Sequence, residues 1–245
     1  MGVTLQRLYS SAADTLLTQH LREMNLLARS IDNEMKLMAT IVEDTASFLR
    51  ISPDYDEAEL YALLRENVSR ANLIYGSALA FEPYAFKADQ RLFGPYVFDD
   101  DIKAISAVAY DYTDGDWPWY SDIKASGMPS WSEPYFDTGA GNMPMITYST
   151  PLLRGEEFIG VATVDIRLDQ LRREIASQLN NRRFMIMSKS GRFVSHYNPQ
   201  LTLDSGLMEM AALQNNPNYD VVAKNILSGQ SGFSVIADLF LDGEV

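Results

Sequence analysis

The sequence predicts an α+β fold, in which a long N-terminal helix precedes two modules built on antiparallel sheets. Residues 3–52 contain neither glycine nor proline and carry apolar residues at helical spacing. Two apolar runs at 145–153 and 158–166, joined by a polar turn, predict an antiparallel hairpin. A shorter succession of strand, turn, strand and helices from residue 184 predicts a second, smaller module, which we expect to be truncated.

The composition narrows the class of protein. The chain has 245 residues, of which 47% are hydrophobic, so it can bury the core of one large or two small domains. A formal net charge of -13 argues against nucleic acid and against electrostatic docking on anionic lipid, because their phosphates would be repelled. The absence of cysteine excludes a disulfide scaffold, a zinc finger and a thiol nucleophile.

The first predicted element is the long helix. Its apolar stripe comprises Met24, Leu27, Ile31, Met35, Met38, Val42 and Leu49. Fifty helical residues span roughly 75 Å, which is typical of a stalk or of a helix that pairs with another copy in a homodimer. Packing along its own domain is the alternative, and the two are compatible. No apolar run reaches the roughly 18 residues of a membrane span, so we expect targeting and flanking transmembrane segments to lie outside this sequence.

Further elements follow in order. Pro53 ends the first helix, and Asp54 or Asp56 is expected to cap a second one at 57–71. Later elements are indicated by apolar periodicity and by glycine, proline and paired asparagines. They are strands at 73–81, 94–98 and 104–109, a short helix at 119–125, the hairpin, a helix at 169–179, strands at 184–187 and 192–195, helices at 207–213 and 219–227, and a last strand from 233. The predicted domains are 1–52, 53–180 and 181–245.

Aromatic and acidic residues concentrate between residues 111 and 166, ahead of and within the predicted hairpin. Rings and carboxylates held by two strands and a turn are a common way to build a small-molecule pocket. The motifs are Asp-Trp-Pro-Trp-Tyr at 116–120, Trp-Ser-Glu-Pro-Tyr-Phe-Asp at 131–137, Met-Ile-Thr-Tyr-Ser-Thr-Pro-Leu at 145–152 and Phe-Ile-Gly-Val-Ala-Thr-Val-Asp-Ile at 158–166.

These motifs resemble the membrane-distal module of double Cache domains, and the smaller module, with Ser-Lys-Ser-Gly-Arg-Phe-Val-Ser-His at 188–196, resembles the membrane-proximal one. The resemblance covers nearly the whole chain. It implies two PAS-like modules and a periplasmic sensor domain between the transmembrane helices of an inner-membrane receptor. Such receptors are histidine kinases, chemoreceptors, cyclic-dinucleotide enzymes and phosphatases. It further implies a ligand pocket in the membrane-distal module and no catalysis, cofactor or metal in the sensor itself.

The resemblance also implies site residues. Members that bind amino acids share a pattern that falls here on Tyr112, Trp119-Tyr120, Asp137 and Asp165, but Trp117 occupies the position of its arginine. An arginine clamps a carboxylate through two parallel hydrogen bonds, which tryptophan cannot do. Aromatic faces and carboxylates attract ammonium groups, so we expect an amine or quaternary ammonium ligand, with an amino acid or small carboxylate as alternatives. The candidate ligand-binding residues are Tyr112, Trp117, Trp119, Tyr120, Trp131, Tyr135, Asp137, Tyr148 and Asp165.

Other functions remain as alternatives. A hydrolase could use a carboxylate pair such as Glu133 and Asp165, and a protein-interaction module would bind no small molecule. The sequence has two histidines, His20 and His196, and lacks the nucleophile-elbow, phosphate-loop and zinc-protease motifs. Calcium is disfavoured because Tyr110 and Tyr112 stand where an EF-hand loop requires acids.

Overall fold

A computed structural model describes residues 2–98, 101–105, 111–138, 141–179, 184–196, 198, 201–203, 205–214 and 217–229. Residues 37–207 form one unit, and residues 1–36 together with 208–245 form another. Parts of the predicted strand at 104–109, the boundary at 180–181 and the last strand from 233 lie outside the described residues. The predicted domain boundaries therefore stay a prediction.

The long helix α1 (Gly2–Ile51) is present as predicted. From Met38 onward its buried side chains recur every three or four residues, which turns one stripe towards the unit of residues 37–207. The stripe consists of Met38, Ile41, Val42, Thr45, Ala46 and Leu49. No helix among the described residues is both long enough and apolar enough to cross a bilayer.

The second helix, α2 (Glu57–Ser69), begins with a reciprocal cap. A carboxylate oxygen of Asp56 accepts from the backbone N–H of Glu59 at 2.9 Å, and the Glu59 carboxylate accepts from the N–H of Asp56 at 2.8 Å. The cap satisfies two backbone donors that a helix start leaves free, so Asp56 rather than Asp54 begins the helix. Leu60, Leu64 and Asn67 are its buried residues.

A seven-stranded antiparallel sheet forms the centre of the larger unit. Its strands are β1 (Gly76–Phe81), β2 (Gly94–Phe98), β3 (Asp101–Ile105), β4 (Ser130–Trp131), β5 (Tyr135–Asp137), β6 (Met143–Arg154) and β7 (Glu157–Arg167). They lie in the order β3-β2-β1-β7-β6-β4, and β5 also pairs with β6. The predicted hairpin is β6 and β7, whereas β4 and β5 were not predicted, because segments of two and three residues show no measurable alternation.

The two faces of this sheet have different neighbours. Residues that pair across antiparallel strands share a face, so Gly76, Thr147 and Asp165 lie on one face, and Ser77, Tyr148 and Val164 on the other. The first, which we call the ring face, packs against the short helix α3 (Pro118–Ser126) and its aromatic rings. The second, which we call the α1 face, bonds to α1 and α2.

A second, two-stranded sheet follows the helix α4 (Leu168–Gln178). Its antiparallel strands are β8 (Met185–Met187) and β9 (Phe193–His196), and β9 contacts α4. The helices α5 (Leu207–Gln214) and α6 (Pro217–Leu227) complete the described part of the chain. These elements agree with the predicted strand, turn, strand, helix, helix order.

Candidate ligand-binding site

The ring face carries a buried carboxylate, that of Asp165 on β7. The side chain is almost inaccessible, with 7% of the residue exposed. Oγ1 of Thr147, its partner across the β6–β7 ladder, donates to Oδ1 of Asp165 at 2.7 Å. Because that hydroxyl has a single proton, the Tyr135 hydroxyl, 2.7 Å from the same oxygen, must donate to Thr147. The chain Tyr135–Thr147–Asp165 thus fixes one carboxylate oxygen, Oδ1.

Burial raises the pKa of Asp165 to about 7, since a charged carboxylate loses its hydration there. The hydrogen bond from Thr147 lowers the pKa, the charge of Asp137 raises it, and the Tyr96 hydroxyl lowers it. No lysine or arginine among the described residues forms an ion pair with this carboxylate. Among the described residues, the Asp165 carboxylate therefore lacks a positively charged partner, and a bound cation could supply one.

A second buried acid, Asp137 on β5, belongs to the same face. It pairs with Met143, and Tyr135 pairs with Met145. Met143, Met145 and Thr147 are every second residue of β6, so they and their partners lie on one face. One of its carboxylate oxygens accepts from the backbone N–H of Gly141. The structure thus brings together two of the predicted carboxylates, and the negative charge of Asp137 opposes ionisation of Asp165.

Three of the predicted rings form one cluster: those of Trp119 and Tyr120 on α3 and that of Tyr112, which precedes the helix. Ring centroids lie 5.1 Å apart for Tyr112 and Tyr120, 5.9 Å for Trp119 and Tyr120, and 6.1 Å for Tyr112 and Trp119. The Tyr112 hydroxyl donates to the carbonyl of Phe81 at 2.7 Å, and the Tyr120 hydroxyl donates to the carboxylate of Glu82. Burial raises the pKa of both phenols. Both hydroxyls thus form hydrogen bonds within the protein, so a ligand would contact the faces of these rings rather than their hydroxyls.

The two tryptophans of this segment differ in position. Trp117 immediately precedes α3, is half-buried and packs against the ring cluster. Trp119 lies within α3 and is buried, and its indole N–H finds no acceptor among the described residues. A buried donor without a partner is costly, so this N–H is a group that a ligand oxygen could satisfy.

Tyr148 and Trp131 lie on the α1 face rather than with the other candidates on the ring face, and their predicted contact with a ligand stays a prediction. Tyr148 lies on the α1 face, where its hydroxyl donates to the Glu43 carboxylate. Trp131 pairs with it across β4 and β6, and the two ring centroids lie 5.1 Å apart. The physical reason is the two-residue period of a strand: Thr147 takes the ring face, so its neighbour Tyr148 must face the other way.

Tyr96 on β2 is a member of the ring face that sequence reasoning missed. It is buried, it lies against the cluster of Tyr112, Trp119 and Tyr120, and its hydroxyl has no hydrogen-bond partner of ordinary geometry among the described residues. The available indication was Gly76, because a glycine inside a strand often marks the close approach of another group.

The two carboxylates of the hydrolase alternative, Glu133 and Asp165, lie in different environments. Glu133 is exposed and accepts from Ser190 Oγ at 2.9 Å, whereas Asp165 is buried on the ring face. His196 is buried, and its Nδ1 accepts from the backbone N–H of Asn198 at 2.9 Å. His20 lies on the exposed surface of α1. Over the described ranges, no group of three or more histidines or acids could hold a metal ion.

Comparison with known proteins places this geometry in a family. Residues 60–173 match the methyl-accepting chemotaxis protein-like first PDC sensor domain. The extracellular domain of soHK1S-Z6, assigned as a histidine kinase, is 30% identical with a TM-score of 0.75, over 91% of this chain and 84% of that one. A search of curated protein sequences finds no match.

Two further structures share the fold. Methyl-accepting chemotaxis protein X is 20% identical with a TM-score of 0.70, over 89% of this chain and 84% of that one. The ligand-binding domain of the Pseudomonas aeruginosa amino acid chemoreceptor PctC, solved with GABA, is 22% identical with a TM-score of 0.60, over 80% of this chain and 82% of that one. These relatives are sensor domains rather than catalytic ones. The chain belongs to the Cache/PDC family of extracytoplasmic ligand-sensing domains, which histidine kinases and chemoreceptors carry outside the membrane.

Proposed function

We propose that this sensor domain binds a small molecule with a protonated amine, and that the ammonium group lies against Asp165 on the ring face. The observation that carries the proposal is the buried Asp165 carboxylate, for which no described residue supplies a cation. Ionising such a group without a partner is expensive, whereas an ammonium beside it would restore much of the lost stabilisation.

The surroundings of Asp165 support a cation more than an anion. Asp137 lies on the same face and contributes a second negative charge. The ring cluster of Tyr112, Trp119 and Tyr120 offers π faces, which attract cations by about 0.5–2 kcal/mol each. A carboxylate ligand without an amine would meet two acids and no arginine among the described members of this site.

Known ligands of similar folds fit the same chemistry. PctC was solved with GABA, and the Pseudomonas fluorescens chemoreceptor CtaA with L-isoleucine, L-leucine and L-valine. All four compounds carry a primary amine beside or near a carboxylate. Because Trp117 replaces the arginine of the amino-acid pattern, we propose that the amine is the shared feature and that this chain holds a ligand carboxylate less firmly.

The signal would leave the site through the sheet and α1. Tyr148, next to Thr147 on β6, donates a hydrogen bond to Glu43 on α1. A ligand that shifts Thr147 and Asp165 on the ring face would therefore move a strand that is bonded to the helix on its other face. Ligand binding would then bias two arrangements of α1 relative to the sheet, which is how a sensor passes information onward.

The test is a thermal-shift screen followed by calorimetry. The compounds are GABA, L-isoleucine, ethanolamine, choline, acetate and adenine, tested on the wild type, on Asp165→Asn and on the exposed control Asp116→Asn. Ligand at about a hundred times its dissociation constant adds about 2.7 kcal/mol of stability, a shift of several degrees for a domain of this size. Amine-dependent shifts that Asp165→Asn alone abolishes are expected. Shifts with acetate only, or amine shifts unchanged in Asp165→Asn, would contradict the proposal.

The same samples separate sensing from hydrolysis. A sensor returns its ligand unchanged, so the proton spectrum of each amine after a long incubation should equal that of the compound alone. New signals that grow with protein concentration and vanish in Asp165→Asn would instead favour an enzyme.

A further inference from the structure

Tyr96 occupies an unusual position for a tyrosine of the sheet. It lies on β2 opposite Ala78, its residue is 2% exposed, and its hydroxyl makes no hydrogen bond of ordinary geometry with the described residues, although it lies close enough to the Asp165 carboxyl to lower the pKa of that acid. A buried phenol normally finds a partner, since an unpaired hydroxyl costs the free energy of its lost hydration. The phenol oxygen of Tyr96 therefore keeps acceptor capacity that a ligand donor could use.

Gly76 determines where the Tyr96 hydroxyl lies. A Cβ atom at residue 76 would lie 2.3 Å from the Tyr96 hydroxyl oxygen, so the ring passes over β1 where that strand has no side chain. On the far side of β1, Gly76 pairs with Asp165. Tyr96 thus reaches from β2 across β1 towards the carboxylate on β7, and the charge of Asp165 raises the pKa of this phenol beyond the effect of burial.

The two groups together offer a particular set of hydrogen-bond acceptors. One oxygen of Asp165 is held by Thr147, which leaves Oδ2, and the phenol oxygen of Tyr96 adds a second acceptor beside it. A primary ammonium has N–H donors for both, whereas a quaternary ammonium has none and would leave the phenol oxygen of Tyr96 without a donor.

We infer that Tyr96, positioned by Gly76, is a specificity-determining residue that makes this site select primary ammonium groups over quaternary ones. The inference rests on the proposed function, since it requires the ammonium group to lie at Asp165. It narrows the ligand from amines in general to compounds whose nitrogen keeps its hydrogens. Electrostatic attraction to Asp165 serves both classes, but only the primary class also satisfies Tyr96.

The experiment measures calorimetric affinities for matched pairs of compounds: propylamine with trimethylpropylammonium, ethanolamine with choline, and GABA with its N-trimethyl derivative. The variants are Tyr96→Phe, Gly76→Ala, Asp165→Asn and the control Tyr84→Phe, whose tyrosine is exposed. Tyr96→Phe should weaken the primary amines about tenfold and leave the quaternary partners within about twofold, as expected for one lost hydrogen bond. Asp165→Asn should weaken both members of each pair.

The variant Gly76→Ala provides a second, independent test of the Tyr96 hydroxyl. Its added methyl group displaces the Tyr96 hydroxyl, so the loss of primary-amine affinity should match that of Tyr96→Phe. Circular dichroism and a cooperative thermal transition establish that the variant is folded. If Gly76→Ala does not fold, Tyr96→Phe alone decides.

The outcomes separate this inference from the proposed function. Primary amines that bind the wild type and Tyr96→Phe equally would overturn the inference and leave Asp165 as the amine site. Equal losses for primary and quaternary compounds in Tyr96→Phe would also overturn it, since they indicate a packing role. Absence of binding by every amine to the wild type would overturn both.

Discussion

The hydroxyl of Thr45 on α1 lies 3.0 Å from Oδ1 of Asn67 on α2, and the contact is fully buried. Asn67 in turn donates from Nδ2 to Ser77 Oγ at 3.2 Å, and Ser77 donates to the carbonyl of Thr163 at 2.8 Å. This network joins α1, α2, β1 and β7 through side chains. Its β1 member, Ser77, is the sequence neighbour of Gly76, which lies on the ring face.

Replacing Thr45 by valine tests this network. Valine keeps the shape but removes the hydroxyl, whose one proton is shared between Asn67 Oδ1 and the carbonyl of Ile41 at 2.9 Å, so these buried acceptors lose their common side-chain donor. We expect a loss of about 1–3 kcal/mol in the free energy of unfolding, measured by urea denaturation. Ser47→Ala, at an exposed position of the same helix, should change it by no more than about 0.5 kcal/mol. Equal effects of the two substitutions would show that the network contributes nothing.

The raised pKa of Asp165 predicts a pH-dependent stability. The native carboxyl, with a pKa of about 7, holds its proton more tightly than the unfolded one near 3.8. Its contribution is therefore complete below about pH 4 and is lost as pH rises to about 7, by at most about 4 kcal/mol. Asp165→Asn stays neutral, so relative to wild type it should gain stability over this range. The titratable groups around residue 165, which are Asp137, Tyr96 and Tyr135, are the same in the variant and the wild type. A difference that does not vary with pH would refute the raised pKa.

Ligand affinity should vary with pH in the opposite sense. An ammonium group needs the ionised form of Asp165, whose pKa is about 7. Affinity should therefore rise about tenfold per pH unit below about pH 7 and level off above it. Calorimetry between about pH 5 and 8, in buffers of different ionisation enthalpy, would also detect the proton that binding releases. Affinity that is independent of pH would mean that the ammonium does not meet this carboxyl.

Trp117→Arg tests the interpretation of the altered amino-acid pattern. An arginine at the start of α3 would restore a planar group that clamps carboxylates. We expect affinity for L-isoleucine and GABA to rise by about tenfold or more, while affinity for propylamine, which has no carboxylate, stays the same. Trp117→Lys adds the same charge without the planar fork and should give a smaller gain. A parallel gain for propylamine would indicate a change of packing instead.

Gly160→Ala should disrupt the junction of β7 with β1. Gly160 has a φ of 147°, and an added Cβ would lie 2.2 Å from the carbonyl oxygen of Ala80. Because backbone rather than a flexible side chain stands in the way, we expect a loss of at least about 3 kcal/mol, visible in thermal unfolding. Gly155→Ala, in an open turn with a φ of 64°, should cost about 1–2 kcal/mol. Similar melting temperatures for both variants would contradict this account.

Much of the fold could be predicted from the sequence, because its signals are local. The glycine-free, proline-free segment before Pro53, the cap at Asp56 and the alternation in the β6–β7 hairpin each depend on neighbouring residues. The first strand begins at Gly76 rather than at Leu73, because Leu73 lies in a turn that the N–H of Ile74 closes on the carbonyl of Ala71 at 3.0 Å.

The candidate site was only partly predictable, because it depends on register between distant strands. Asp137 and Asp165 share a face with Tyr135 because their strands pair with β6 in one particular alignment. The same alignment turns Tyr148 away and brings Tyr96 over Gly76 from a strand that does not touch β7. No pattern within a single strand contains that information, since each side chain reaches its position across two or three strands.

The strand order has a consequence for how the protein is made. β1 lies between β2, the next strand along the chain, and β7, whose partner residues are about 80 to 90 positions later. On the ribosome, β1 and β2 can meet early, but the central β1–β7 ladder must wait until residue 167 has emerged. Such distant pairing slows folding and leaves an apolar strand edge open in the meantime. The edge of β1 that β7 covers in the folded domain is therefore exposed while α3 and the hairpin are being translated.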